Sequence, residues 1–573
     1  MQRKNAPLYA VRKITDLRDM VSQSAEIYGD KAAFLVKRNG SSEYQPISFV
    51  QFKKDIEAFG TALIHLGLQG KRIAVMGENR YEWAVTYLAV VNGVGVIVPL
   101  DKELPVSEIE NLIRTSKADA IVYSGKYHED IMSINSISEQ IQYYINMDEI
   151  NEEDKILSFW NLTEKGKRLL EQGDRSFENT KIDPEEMRIL LFTSGTTGLA
   201  KGVMLSHRNI CTNLMSMCTM LYVGEKDTFL SVLPLHHTYE CTCGFLAPIY
   251  RGCTIAYCEG LRHIVKNLKE AKATIMLGVP LIFESMYKKI WQQAKKNGLL
   301  GKMKMALGLN RVLKVFGIDV SKKLFAKIHE NLGGHMRVLI SGAAAIDPAV
   351  AKGFRDFGIL LVQGYGLTEC APIVALNRDC WYKDDAAGLP LPGMEVKIDR
   401  PNEEGIGEIV CKGGNVMMGY YENESATAAV MKDGWFYTGD LGFKDKDGFI
   451  HITGRKKDVI VTKNGKNIFP EEVESYLNRS AYISESLVWG RYDENTGETY
   501  VNAQIRPDFE AIEEEFGKDY PEEEIKKLIG NEVKKVNHSM PSYKRITDFT
   551  IRKEEFIKTT TKKIKRYLEK PQG

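Results

Sequence analysis

The sequence has little of what several protein classes need. Nine cysteines are scattered along 573 residues, an odd number with no C-x2-C pair. Only Cys241 and Cys243 lie close together, as C-x-C, and no second pair accompanies them. That spacing excludes a disulfide scaffold and a structural zinc site as readings, and points to a reducing, cytoplasmic setting in which the cysteines serve as small buried hydrophobes. Net charge is almost absent: 77 Lys and Arg against 76 Asp and Glu leave +1. No global field therefore recruits nucleic acid or an acidic membrane. Long apolar runs are also missing. The longest, "WAVTYLAVVNGVGVIVPL" (Trp83–Leu100), is broken by Asn92, Gly93 and Gly95, so it predicts a helix followed by a short strand. The N-terminal "MQRKNAPLYAVRKITDL" has basic residues without the apolar core of a secretory signal.

What is present is an ordinary globular composition, 43% hydrophobic and 27% charged, on a chain too long for one core. From about residue 45 to about 375, helical periods alternate with short β-rich runs such as "RIAVMG", "ADAIVYS", "ATIMLGVP" and "HMRVLISGAAAID". This predicts an α/β fold with mostly parallel sheets flanked by helices. After about residue 385, short strands with Gly and Asp turns predict a small β-rich subdomain. From about 458, "ESLVWG", "TYVNAQIRP" and the charged helix "PEEEIKKLIGNEVKKV" predict a smaller α+β module with i,i+4 Glu/Lys pairs. The expected organisation is a domain over 1–455, with its β-rich part at about 385–455, a hinge at 456–458, and a mobile C-terminal domain over 459–573.

The most unusual stretch is "FTSGTTGLAKGVMLSH" (Phe192–His207). The preceding "MRILLF" reads as a buried strand, and Ser206 reads as the N-cap of a following helix. The Gly/Thr/Ser segment is therefore expected to be a strand-to-helix connection. Rich in backbone N–H and hydroxyl donors, it suits a polyphosphate. It is neither GxxxxGK[ST] nor GxGxxG, so it would hold phosphate in a third way. A plain flexible turn is the other reading of the segment alone.

Four further motifs follow in order: "QGYGLTE" (Gln363–Glu369), "WFYTGDLG" (Trp435–Gly442), "GRKKDVI" (Gly454–Ile460) and "KTTTKKIKR" (Lys558–Arg566). Together with the loop they resemble the adenylate-forming superfamily of acyl-CoA synthetases, peptide-synthetase adenylation domains and luciferases. The resemblance covers nearly the whole chain. It implies that Thr193, Ser194, Gly195, Thr196, Thr197 and Gly198 cradle the ATP phosphates, with Lys201 adding charge. It implies that Glu369 binds Mg²⁺, together with Thr193, and that Thr368 reaches the α-phosphate. Gln363, Gly364, Tyr365 and Gly366, with the Tyr365 ring against adenine, would belong to the nucleotide site. So would Gly342, Ala343 and Ala344 of "SGAAAID", where Ala345 stands in place of the family's common proline. By the same resemblance Asp440 accepts from both ribose hydroxyls, Arg455 contacts the nucleotide, and Lys457 is the hinge. Lys563 is the catalytic lysine, although Lys562 replaces the family's preceding glycine and Lys558 and Lys565 crowd nearby.

The implied chemistry is ATP-dependent acyl-adenylate formation followed by thiol attack, with ATP and coenzyme A as substrates and Mg²⁺ as cofactor. His237 in "LPLHHTYE" would line the carboxylate side of an acyl pocket and Gly244 would leave depth for a chain. No Gly-x-Ser-x-Gly elbow accompanies that histidine, so a pocket wall fits better than a hydrolase base. Gly465 and Lys466 would border the thiol tunnel. The "GRKKDVIVTKNGKNIFPEEVE" segment and the basic-apolar stretch at 288–330 resemble bacterial long-chain fatty acid–CoA ligases, which makes a fatty acid the leading substrate. The stretch at 288–330 reads either as helices with a solvated basic face or as a peripheral membrane contact beside a portal for an apolar substrate. Delivery to a carrier-protein thiol, and a non-catalytic nucleotide- or acyl-binding role, are the alternative functions.

Overall fold

Short apolar runs bounded by turns become the strands of two large sheets. The structure is a computed structural model that describes residues 2–38, 41–148, 152–153, 155–193, 200–463, 466–494, 496–559 and 563–570. The chain divides into two units, one of Met1–Glu395 with Lys412–Phe436, the other of Val396–Cys411 with Tyr437–Gly573.

In the first unit, one sheet has nine strands in the order Leu389–Pro390, Ile373–Leu376, Leu360–Gly366, Val338–Ser341, Ile275–Gly278, Thr228–Ser231, Thr254–Tyr257, Ala32–Val36 and Gln45–Ser48. Its centre is parallel, and antiparallel pairs close both edges. A second sheet has eight strands, with Arg72–Met76, Val96–Pro99 and Met187–Thr193 parallel at its centre. The "RIAVMG", "ADAIVYS", "ATIMLGVP" and "HMRVLI" runs all form strands as read from their apolar content. Trp83–Leu100 becomes the helix Tyr81–Ala89, a π-turn and the strand Val96–Pro99. Every residue of that helix is buried, with Trp83 and Tyr87 stacked at 5.4 Å, which explains why its sequence is apolar on all sides. The helix His207–Met220 touches a strand of each sheet. Six of the nine cysteines are buried and all are free thiols.

One local expectation is corrected. The segment after Thr193 does not lead into a helix. Strand Met187–Thr193 pairs antiparallel with Lys201–Ser206, Thr193 opposite Lys201, so the hydroxyl-rich loop closes a hairpin. The helix opens only at His207, where Ser206 forms a capping box with Asn209 as expected. "KGVMLS" lacks a turn signal between Lys201 and the cap, and a strand is the only extended path that satisfies its backbone groups there.

In the second unit, Trp435–Lys444 turns back as Ile450–Arg455, and a three-stranded sheet of Ile483–Asp493, Glu498–Pro507 and Ile546–Ile551 packs with the helices Pro470–Leu477 and Glu522–Ser539 over an Ile/Val core. The ion pairs on the last helix, Glu524–Lys527 and Glu532–Lys535, are spaced i,i+3 rather than i,i+4.

Helices Phe49–His65 and Phe159–Glu171 approach so closely that a Cβ on Gly166 would lie 1.8 Å from the Ala58 carbonyl oxygen. Gly166→Ala is expected to destabilise the first unit by about 1–3 kcal/mol, measured by denaturant unfolding. His207 supplies a second test. Its Nδ1 accepts from Leu17 N–H at 3.1 Å and its Nε2 donates to Val91 O at 2.9 Å. Burial, the largest cause, pushes its pKa down to about 4. A histidine depressed in the folded state stabilises above its unfolded value and loses that contribution as pH falls toward 4. The unfolding midpoint should therefore drop between about pH 6.5 and 4 by up to about 3 kcal/mol. His207→Gln should flatten that part of the profile.

Candidate active site

Ligands of open α/β sheets gather at the carboxyl ends of the strands. The register places Gly278, Ser341 and Gln363 side by side at that edge of the nine-stranded sheet. Gly342 follows directly. Its N–H donates to Gly278 O at 3.1 Å, and a Cβ there would meet the Tyr239 ring at 2.7 Å. The Tyr239 hydroxyl donates to Ile340 O at 2.9 Å, so ring and loop hold each other. Ala343 adopts φ +70°, a left-handed conformation that costs an alanine about 1–2 kcal/mol. Ala344 is exposed. Gln363 is buried and spends its amide on this loop, donating to Asp384 O at 2.7 Å and accepting from Ile346 N–H at 3.3 Å. Gly364 packs under Leu376 and Tyr365 is buried. A Cβ on Gly366 would lie 2.2 Å from Pro372 O, so only glycine fits there.

Thr368 and Glu369 occupy a short helical turn ending at Cys370. Two asparagines that the sequence reading did not identify hold that turn. Asn213 donates to the carbonyls of Cys370 and Ile373 at 3.3 and 2.8 Å, and Asn415 donates to the same pair at 2.8 and 3.0 Å. Both side chains are buried. Met417 N–H adds a bond to Glu369 O at 2.8 Å. The Thr238 hydroxyl donates to Thr368 Oγ1 at 3.3 Å. Tyr420, also unidentified from the sequence, donates its hydroxyl to Glu369 Oε1 at 2.9 Å, while Lys201 Nζ lies 4.9 Å from the centre of its ring. Thr193 Oγ1 donates to Lys201 O at 3.5 Å. Tyr420 thus connects the Lys201 end of the hairpin loop to the Glu369 turn. Ser194, Gly195, Thr196, Thr197 and Gly198, which lie between Thr193 and Lys201, fall outside the described residues.

In "LPLHHTYE", His237 is half-buried and its ring centre lies 4.4 Å from that of His236. His236 Nε2 is 3.5 Å from Asp101 Oδ2. Burial acts to raise the Asp101 pKa, but the hydrogen bond and charge of His236 bring it down to about 2. Asp101, His236 and His237 bring three potential ligand atoms within 4.8 Å of one another; only His237 stood out in the sequence. The space beside Gly244 is occupied: a Cβ there would meet the Glu240 carboxyl group at 2.6 Å. Ser231 donates to Glu240 Oε1 at 2.6 Å, and burial pushes the Glu240 pKa up to about 8. At neutral pH this side chain is a carboxylic acid rather than a buried charge.

The second unit holds the remaining residues. Asp440 and Arg455 pair directly across the hairpin, and Arg455 Nε lies 2.9 Å from Asp440 Oδ1. Gly439, at φ +71°, turns the strand and donates to Glu408 Oε1 at 3.0 Å. Lys457 is exposed in the short helical turn Lys456–Asp458, inside this unit rather than at its edge. Lys466 places its ammonium 4.6 Å from the Tyr543 ring centre; Gly465 is outside the described residues. The lysine cluster separates by partner. Lys558 is committed to Glu485, Arg566 bonds Glu474 and Val488 O, and between these anchors Thr559 N–H donates to Lys563 O at 2.8 Å. Lys562 is outside the described residues. Protein packed around the Lys563 ammonium, then the Arg455 charge, lower its pKa, against Asp440 and Glu471, which raise it. Lys563 also keeps solvent access, which screens these charges, and the net shift is downward.

A family model for the AMP-binding enzyme matches residues 21–421, and a model for the AMP-binding enzyme C-terminal domain matches 457–568. The chain belongs to the AMP-binding enzyme family. Among curated AMP-binding relatives it is similar to fatty acyl-CoA synthetase A of Dictyostelium discoideum, 29% identical over 84% of this chain and 75% of the relative. It is also similar to the long-chain-fatty-acid–CoA ligase FadD15 of Mycobacterium bovis, 28% identical over 82% and 78%. Of solved structures, the anthranilate CoA ligase AuaEII in complex with anthranoyl-AMP superposes with a TM-score of 0.77 at 19% identity, covering 99% of this chain and 98% of that one. The o-succinylbenzoate CoA synthetase of Bacillus subtilis in complex with ATP and magnesium ion superposes with 0.71 at 20% identity, covering 96% and 98%. These two establish the adenylate-forming fold for this member of the AMP-binding family.

Tyr420→Phe deletes the hydroxyl on Glu369 while keeping the ring under Lys201. It is expected to raise the Mg²⁺ concentration needed for half-maximal pyrophosphate release by about tenfold, with the unfolding midpoint lowered by no more than about 1 kcal/mol. Asn415→Ala leaves two buried carbonyls short of a donor and should cost about 1–3 kcal/mol in the same unfolding measurement.

Proposed function

We propose that the chain activates a fatty acid, long-chain by preference, with ATP and transfers the acyl group to coenzyme A. The observation that carries this reading is the Thr368–Glu369 turn at the carboxyl edge of the sheet, with Tyr420 joining its acid to the base of the hydroxyl-rich hairpin loop. The nature of the acid and the thiol is supported by the curated relatives.

In the first half-reaction a substrate carboxylate oxygen forms a bond to the α-phosphorus while the bond to the β-phosphate oxygen breaks, releasing pyrophosphate. A carboxylate is already ionised at neutral pH, so no protein base is needed. Negative charge grows on the α-phosphoryl oxygens, and Thr368 and Lys563 would meet it with a hydroxyl and an ammonium. Asp440, paired with the neighbouring Arg455, would accept from the ribose hydroxyls in a charge-assisted pair of bonds. Gly342, Ala343, Ala344 and the Gln363–Gly366 strand would border the adenine. The residues fit Mg²⁺: Glu369 gives one carboxylate oxygen to Tyr420 and has a second to offer, and Thr193 adds a hydroxyl, both hard donors. Bound there, the ion would neutralise phosphate charge. In the second half-reaction a thiol sulfur attacks the acyl carbon and AMP leaves. Lys457 would be the point about which 459–573 re-orients between the halves, with Gly465 and Lys466 beside the thiol. His237 would face the carboxylate, and Glu240, which fills the space at Gly244, would help set how deep a chain can reach.

An acyl carrier protein is the second acceptor to test. The long-chain-fatty-acid–[acyl-carrier-protein] ligase AEE15 of Arabidopsis thaliana is 26% identical over 90% of this chain and 79% of that relative. No helix among the described residues is long and apolar enough to cross a membrane. We place the protein in the cytoplasm with peripheral attachment at the inner membrane face.

The test is pyrophosphate release from MgATP with acids from acetate to stearate and aromatic acids, with and without coenzyme A. Release with long-chain acids, accelerated by coenzyme A and yielding acyl-CoA and AMP, is the expected result. One slow round that only a carrier protein relieves would transfer the acceptor role to that protein, and no release with any acid would overturn the ligase reading. Lys563→Ala should slow pyrophosphate release by at least about a hundredfold. Because the depressed Lys563 must be protonated to act, kcat/KM should fall at a pH below the ordinary lysine value of about 10.4, and Lys563→Arg should remove that alkaline limb.

A further inference from the structure

Between Glu284 and Asp319 the chain has no acidic residue and eight lysines and arginines. This stretch forms the end of helix Pro280–Lys296 and the whole of helix Leu300–Val315. The second helix is fixed by one side. Asn310 is buried and donates to Asp356 O at 3.3 Å, and Arg311 pairs with Asp356 at 2.5 Å. The opposite side has a row of large apolar side chains turned to solvent: Met305 is 71% exposed, Leu309 50%, Val312 57% and Phe316 76%. Steps of four, three and four residues put them on one face, within a single narrow stripe. Exposed Lys302 and Lys304 stand on either side of it.

A row of this kind exposes apolar area with nothing to bury it in water, at a cost that burial would recover. Its surroundings decide the occupant. A second copy of the chain would set this acid-free, cationic helix against another like it, which repels. An anionic bilayer surface offers both missing terms: acyl chains for Met305, Leu309, Val312 and Phe316, and lipid phosphates for lysines whose stems can lie along the interface. The near-zero charge of the whole chain does not oppose this, because screening limits the field to the patch within about 8 Å.

We propose that the helix Leu300–Val315 is an interfacial docking surface for an anionic lipid bilayer, lying in the headgroup plane with the Met305–Phe316 row inserted. The inference rests on the peripheral placement proposed above but not on the ligase reaction, so vesicle binding and pyrophosphate release can fail independently.

The experiment is co-sedimentation of the full chain, without ATP or acid, on phosphatidylcholine vesicles with and without phosphatidylglycerol. Binding is expected only with the anionic lipid, weakening at high salt. The pair Leu309→Ser and Phe316→Ser, and separately the pair Lys302→Glu and Lys304→Glu, should each reduce partitioning by about tenfold or more. Both double variants touch only exposed positions, so their thermal midpoints should match the parent. Absence of binding, or binding that neither pair changes, would overturn the proposal. So would a dimer on size-exclusion chromatography with light scattering that the Leu309/Phe316 pair abolishes, since a second copy would then be the occupant.

Discussion

A buried carbonyl oxygen must be given a donor, and the carbonyls of Cys370 and Ile373 are given two side-chain amides each way. Asn213 comes from the helix that touches both sheets, and Asn415 comes from the segment that returns from the β-rich region to the first unit. Because both amides converge on one turn, the position of Glu369 depends on the seating of three separate parts of the chain. Asn209 extends the arrangement, capping its own helix and donating to Gly414 and Val416 O at 2.9 Å each. A carboxylate held this way does not have to be ordered when a ligand arrives, which reduces the entropic cost of binding.

The second unit achieves the same end with charge. Lys563 lies along the chain between two anchored cations, Lys558 on Glu485 and Arg566 on Glu474. These pairs are buried or nearly so, and removing either partner would leave a charge without its counterion. Lys558 and Arg566 therefore have structural partners, and the charges acting on the Lys563 ammonium are those of Arg455, Asp440 and Glu471. A cluster that reads as a uniformly basic tail in the sequence separates into anchors and a presented ammonium once the chain is folded.

The Gly244 turn shows how a buried polar group fills a space. Gly244 lacks a side chain, yet the volume is taken by the Glu240 carboxyl from one turn earlier, itself kept neutral by burial and bonded to Ser231. Asp101, His236 and His237 form a second polar group, brought together from segments that follow the strands Val96–Pro99 and Thr228–Ser231.

The sequence by itself determined the local elements and the motif residues. Apolar runs such as Ile275–Gly278 and Val338–Ser341 became parallel strands, Ser206 capped its helix, and "QGYGLTE" and "SGAAAID" fell at strand ends and turns, because periodicity, capping and turn chemistry are properties of neighbouring residues. The family was legible for the same reason: its motifs are short and collinear. Tertiary structure alone decided the partners. Tyr420 lies 51 residues from Glu369, and Asn213 lies 157 from Cys370, separations at which no spacing rule operates. It also decided that Lys201–Ser206 is a strand rather than part of a connection to the helix, since its outer edge pairs with the distant Gly419–Tyr420 as well as with Met187–Thr193. Which face of Leu300–Val315 is left in water was likewise settled by what the rest of the chain covers.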